Sequence, residues 1–244
     1  MKNQVLLFLL LGGVSVAGAG WQTAQVAWAG AAPLTRTLTL PSAAGLALDG
    51  DADITLAEGH PQQLVVSGSA RLLDQLRAEV QTGILHVHAP ASAGWWLWHP
   101  AERLKITVTL PLVKQIHLTG AATLTGLTPF TSPALTVALA GANHATLSVA
   151  NTRTDLIIKG AGTVTLCGTT TKQQVRIDGA GTYHGFGLRS MMTTASLAGV
   201  GTEEVTATQS LTANVAGIGT IRYRGQPAAT ALHANGLGRV YASQ

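Results

Sequence analysis

The chain has 244 residues, of which 46% are hydrophobic, 11% charged and only 5% aromatic, with 28 glycines and a formal net charge of +4. That length suits one all-β domain plus a processed leader, and the shortage of aromatics leaves Val, Leu, Ile and Ala to build a core of narrow, repetitive layers. Lys and Arg are scattered singly from Arg36 to Arg239, which argues against nucleic acid as a partner, and the lone Cys167 excludes an internal disulfide.

The N-terminus reads as a secretory signal, with Lys2 as the basic region, Val5 to Val16 as the apolar stretch and small residues after it. Cleavage after Ala19 (A-G-A) or after Ala29 (A-W-A) fits. Residues 1–29 are therefore expected to be signal peptide and leader, and residues 30–244 the mature domain. The apolar run is too short for a typical spanning helix, so an uncleaved anchor is the only membrane attachment expected. The expected location is the periplasm or the cell surface.

Leu46 and Leu48 before Gly50, and Ala52, Ile54 and Leu56 after it, alternate as an inward strand face. Between them Asp49, Asp51 and Asp53 share the opposite face, the arrangement from which a Ca²⁺ site would draw oxygens. An EF-hand loop is excluded, because Ile54 stands where its Gly is required and His60 where its Glu is required. A solvated polar face is the simpler reading, and no metal or cofactor is expected. Next come an extended run from Gln63 to Ser67, an amphipathic piece from Ala70 to Val80 with Leu72, Leu73 and Leu76 at helical spacing, and a strand from Ile84 to His88. His86 and His88 share a face about 7 Å apart, but two ligands do not make a site; His99 or His60 would have to supply a third.

Trp95, Trp96 and Trp98, with His99, form a dense aromatic stretch between strands. An exposed patch of this kind marks a sugar, membrane or protein contact. Its structural alternative is a flap over the end of the fold. Lys105 to Leu110 then alternates up to Pro111.

Beyond residue 115 the chain repeats. Gly120, Gly141, Gly160, Gly179, Gly199, Gly217 and Gly236 follow one another at spacings of 21, 19, 19, 20, 18 and 19, each opening a signature such as G-A-G-T-V or G-I-G-T-I. A fixed period near 20 predicts a β-solenoid. The positions four and two before each Gly, from Ile116 and Leu118 to Leu232 and Ala234, are all apolar and predicted to face inward. Glu203 falls at an inward offset, so a local bulge or strand end is expected there, since an unpaired buried carboxylate is costly.

The succession L-A-L-D-G-D-A-D-I-T-L-A-E-G, L-V-V-S-G, G-I-L-H-V, K-I-T-V-T-L-P and serial G-x-G repeats resembles the bacterial family described as putative auto-transporter adhesin, head GIN domain. The resemblance spans roughly Leu38 to Ala242. It implies a right-handed parallel β-helix in the cell envelope, here with repeats of about 19 residues, an elaborated N-terminal cap and an adhesin-like role.

Parallel β-helices also carry polysaccharide lyases and hydrolases. Asp155 and Asp178 lie in neighbouring repeats, but their registers place them about 14 Å apart, beyond the roughly 6.5 to 9.5 Å of an inverting pair. Glu203 and Glu204 are adjacent in sequence and face opposite sides, and no G-x-S-x-G motif occurs. Cys167, beside Gly168, reads as a small structural residue in an outward or corner position. The sequence therefore points to a non-enzymatic envelope module whose flat, Thr-rich face binds a glycan or an envelope protein. A carbohydrate-active enzyme and a self-associating structural element stand as rivals.

Overall fold

The computed structural model describes residues 33–90 and 103–243. Those residues form one short helix and a fourteen-stranded sheet. The strands are β1 (Leu34–Thr39), β2 (Gly45–Gly50), β3 (Ala52–Glu58), β4 (Gln63–Gly68), β5 (Arg77–Gln81), β6 (Ile84–His88), β7 (Leu104–Leu110), β8 (Gln115–Gly120) and β9 (Thr123–Gly126). They are followed by the long β10 (Ala134–Ile177), β11 (Ala180–Leu197) and β12 (Val200–Arg224), and by β13 (Ala229–Gly236) and β14 (Arg239–Ala242). The helix α1 (Ala70–Gln75) is followed at once by β5, so the amphipathic piece is helical only in its first half.

From β8 onward every strand pairing among the described residues is parallel, and its register follows the glycine spacing. Gly141 faces Gly120, Ala161 faces Ala180, Ala180 faces Val200 and Gly217 faces Gly236. Because side chains alternate along a strand, this register stacks like residues on like. The inward positions from Ile116 to Val215 are all buried, each apolar pair covering the pair one repeat earlier. Leu232 and Ala234 depart from that expectation and are exposed, Leu232 by 40%. β13 pairs only with β12, so its layer is covered from one side.

The glycines keep their spacing for a steric reason. A Cβ on Gly141, whose φ is +104°, would sit 2.3 Å from the carbonyl oxygen of Gly120, and one on Gly199 would sit 2.2 Å from that of Gly179. The signature is a column of close backbone contacts running from repeat to repeat, which only Gly can occupy. Asn143 takes the place of the second Gly in its repeat and is buried; its Oδ1 accepts from the Ala122 N–H at 3.0 Å and its Nδ2 donates to the Ala140 carbonyl at 2.9 Å.

The first part of the chain joins this stack out of sequence order. β2 lies between β6 and β8, and β3 between β7 and β9, all in parallel. Antiparallel strands then close that end, with β5 on β6 and β4 between β7 and β1. Leu73 of α1 is buried, and Leu72 and Leu76 pack against the same core. Glu58 ties the corners together: Oε1 accepts from the Val113 N–H at 2.9 Å, and Oε2 accepts from the N–H and hydroxyl of Thr131 at 2.9 and 2.8 Å. Three charge-assisted bonds on one side chain should make Glu58→Ala costly, by about 2 kcal/mol or more in urea unfolding, with Glu58→Gln recovering part of the loss.

Candidate functional site

Two outward columns define the lateral face of the stack. Three residues past the glycines, Asp53 faces Thr123, Thr123 faces His144, Thr163 faces Thr182, Thr182 faces Thr202 and Thr220 faces Arg239. Five residues past them, Thr55 faces Thr125, Thr125 faces Thr146, Thr165 faces His184, His184 faces Glu204 and Arg222 faces Tyr241. Threonine suits such positions because its branched Cβ favours extended backbone and its hydroxyl faces water or a cross-strand neighbour. The face is thus mostly hydroxyl-lined through the earlier repeats and becomes charged and aromatic in the last four.

At that charged end, Glu204 is held from both sides. His184 Nδ1 lies 2.9 Å from Oε2, and Arg222 donates through Nη2 to Oε1. Two residues further along each strand, the Arg224 guanidinium stands 4.1 Å from the centroid of the Phe186 ring, with that of Arg222 at 5.7 Å. The Thr206 hydroxyl donates to the Phe186 carbonyl at 3.0 Å, bridging the irregular register between β11 and β12.

On the other side of the same strands the interior is unusually polar. The irregularity expected near Glu203 is present, since the register of β11 on β12 shifts directly after the neighbouring His184–Glu204 pair, but it does not carry the Glu203 side chain out of the interior. Glu203 lies within β12, opposite Tyr183 and 0% exposed, with neither carboxylate oxygen hydrogen bonded. Burial raises its pKa well above the ordinary carboxylate range, so the expected cost of a buried charge is avoided by holding the proton. Tyr183 is raised as well, by its own burial and then by the neighbouring Glu203, while Gln173 Nε2 bonds its hydroxyl at 2.5 Å.

The residues singled out from the sequence are placed as follows. Trp95, Trp96, Trp98 and His99 lie outside the described residues, in the sequence between β6 and β7. The three aspartates have separate partners: Asp49 lies 3.7 Å from His88 Nδ1, Asp51 accepts from the Ala121 N–H at 3.1 Å, and Asp53 pairs with Arg103 at 3.0 Å. Among the described residues, no group of three or more His, Cys, Asp or Glu is placed to hold a metal ion. Asp155 is gripped by Arg153 at 2.7 Å and Asp178 by Arg176 at 2.6 Å. Cys167 is exposed, with its Sγ 3.6 Å from the Leu147 carbonyl oxygen. The glycine column is assembled in register as read, whereas the Glu58 tie and the cluster on Glu204 were not anticipated. The cluster had a signal: His184, Glu204 and Arg222 share one offset from their glycines, visible once outward positions are aligned as carefully as inward ones.

The model of the family described as putative auto-transporter adhesin, head GIN domain, matches residues 44–227, from β2 to just past β12. The chain belongs to this family. Its head GIN fold resembles the crystal structure of a putative adhesin from Bacteroides fragilis, with a TM-score of 0.80 and 22% identity, over 88% of this chain and 98% of that one. It also resembles a putative adhesin from Parabacteroides merdae (TM-score 0.66, 16% identity, 88% and 97% covered) and a putative lipid binding protein from Parabacteroides distasonis (0.66, 19%, 88% and 98%). At these identities the likenesses show a common fold and nothing finer. No curated protein is matched by the chain.

Proposed function

We propose that this head GIN protein is a non-enzymatic binding module of the cell envelope, exported through a signal and leader in residues 1–29. In this reading the glycine-marked repeats wind as a right-handed parallel β-helix, and α1 with the antiparallel strands caps its N-terminal end. The lateral face, with Trp95, Trp96, Trp98 and His99 as a further contact, engages a surface glycan or an envelope protein. The observation that carries it is the pair of outward columns continued from repeat to repeat, a periodic surface suited to a periodic or extended partner. Membership of an adhesin-described family supports the same reading, and Asp155 and Asp178, each held by its own Arg, lend no support to a carboxylate pair acting in catalysis. A glycan-array and cell-wall pull-down comparison tests it. Wild type should bind, and the variant Trp95→Ala/Trp96→Ala/Trp98→Ala should lose binding with its thermal transition unchanged; absence of binding by wild type would remove the reading.

One observation favours a second reading, self-association. The last described repeat exposes Leu232, Leu237 and Tyr241, at 40%, 78% and 47%, on or beside β13 and β14, which among the described residues pair only with β12, and unpaired edges pair readily. Sedimentation velocity decides: a mass rising with concentration supports it, and a strict monomer ends it.

A further inference from the structure

We infer that the corner formed by His184, Phe186, Glu204, Arg222 and Arg224 binds the carboxylate groups of an acidic polysaccharide. The inference rests on the binding-module reading in taking a polymer as ligand, but it concerns residues remote in sequence from the tryptophans. Charge is the first ground. From Gly179 onward the chain carries four arginines, Arg189, Arg222, Arg224 and Arg239, and two glutamates, Glu203 and Glu204. Glu203 is sealed inside the stack, which leaves Glu204 as the one acidic side chain of this segment that reaches the surface.

Two of these arginines stand at Glu204, and the other two flank it. Arg222 bonds it, and Arg224 follows two residues on. Arg189 is in register with Thr206, two residues past Glu204, and Arg239 precedes by two the Tyr241 that faces Arg222. Neighbouring strands are about 4.8 Å apart and alternate residues about 6.6 Å, so Arg189 lies about 8 Å and Arg239 about 12 Å from Glu204 at the backbone, on opposite sides of the Arg222–Arg224 pair.

Geometry is the second ground. A guanidinium stacked on an aromatic ring has its plane fixed, and a fixed planar fork loses less freedom when it grips a carboxylate. Phe186 does this for Arg224, and Glu204 restrains Arg222 from the side. Phe186 and the half-exposed Tyr241 add apolar rings of the kind on which sugars rest. An anionic membrane is the less suitable partner, because membrane attraction depends on clusters of four to eight adjacent basic residues, and these arginines alternate with Thr, Phe and Tyr.

The test is calorimetric titration of the full chain with polygalacturonate, with dextran as the neutral polymer and phosphatidylglycerol vesicles as the anionic membrane. Polygalacturonate should bind, weakening as salt rises, and dextran should bind more weakly at this corner. Arg224→Ala and Phe186→Ala should each weaken polygalacturonate by about tenfold or more, and Arg224→Lys should recover only part, since it restores the charge without the fork. Glu204→Gln should bind polygalacturonate more tightly, a gain that a merely structural role would not give. Equal affinity of wild type for both polymers overturns the inference while leaving the binding-module reading intact. So does unchanged binding by Arg224→Ala, or binding to the vesicles without polygalacturonate. Binding of none of the three, together with a blank glycan array, overturns both.

Discussion

Glu203→Gln should abolish a loss of stability that the wild-type protein suffers as pH rises. In the folded chain the Glu203 carboxyl is buried without a hydrogen-bond partner and its pKa lies well above the ordinary value, whereas in the unfolded chain it titrates near 4.3. Between those two values the folded state holds a proton that the unfolded state has released. The stabilisation is therefore complete below the unfolded pKa and is lost as pH rises towards the folded one, by about 1.4 kcal/mol per pH unit while both conditions hold. Among the described residues, the titratable group opposite it on the neighbouring strand is Tyr183, also raised, which adds loss of the same sign in strongly alkaline solution. Thermal unfolding followed from pH 5 to pH 9 should show wild type falling by several degrees relative to Glu203→Gln, with the variant more stable at the alkaline end. Glu203→Met, which also removes the two orphaned oxygens, should gain at least as much. Parallel curves for wild type and Glu203→Gln would mean that Glu203 is solvated.

The second large effect is expected at the glycine column. Gly141→Ala must accommodate both a φ of +104° and a Cβ 2.3 Å from the Gly120 carbonyl oxygen, whereas Gly83→Ala carries a comparable backbone penalty, at +76°, with nothing within 4 Å. Strain alone costs on the order of 1–3 kcal/mol, while forcing two repeats apart disturbs the layers on both sides. Urea unfolding should place Gly141→Ala about 3 kcal/mol or more below wild type and Gly83→Ala about 1 kcal/mol below it. Equal effects would show that the glycines are chosen for conformation only.

These two sites also mark how far the sequence could be read. The glycine spacing and the apolar pairs at four and two residues before each Gly were legible because a repeat reports the same environment many times. The terminal pair Leu232 and Ala234 obeys the same pattern yet is exposed, since a local pattern carries no word of whether another layer follows. The position of β2 and β3 between later strands was hidden for a related reason: a pairing that runs against chain order leaves no periodic trace. Glu203 stands out in the sequence, and a register shift does follow it, but its burial is not legible, because a carboxyl can stay inside by holding its proton. The cluster on Glu204 is assembled from residues 18 to 20 apart, each unremarkable alone.

Whether the protein holds a polymer without altering it is decided by co-sedimentation of the full chain with purified cell-envelope polysaccharide, followed by sizing of the polymer after prolonged incubation. A binding module should be retained saturably on polymer whose length is unchanged. Shortened polymer, with protein left in the supernatant, would contradict that reading and point to an enzyme.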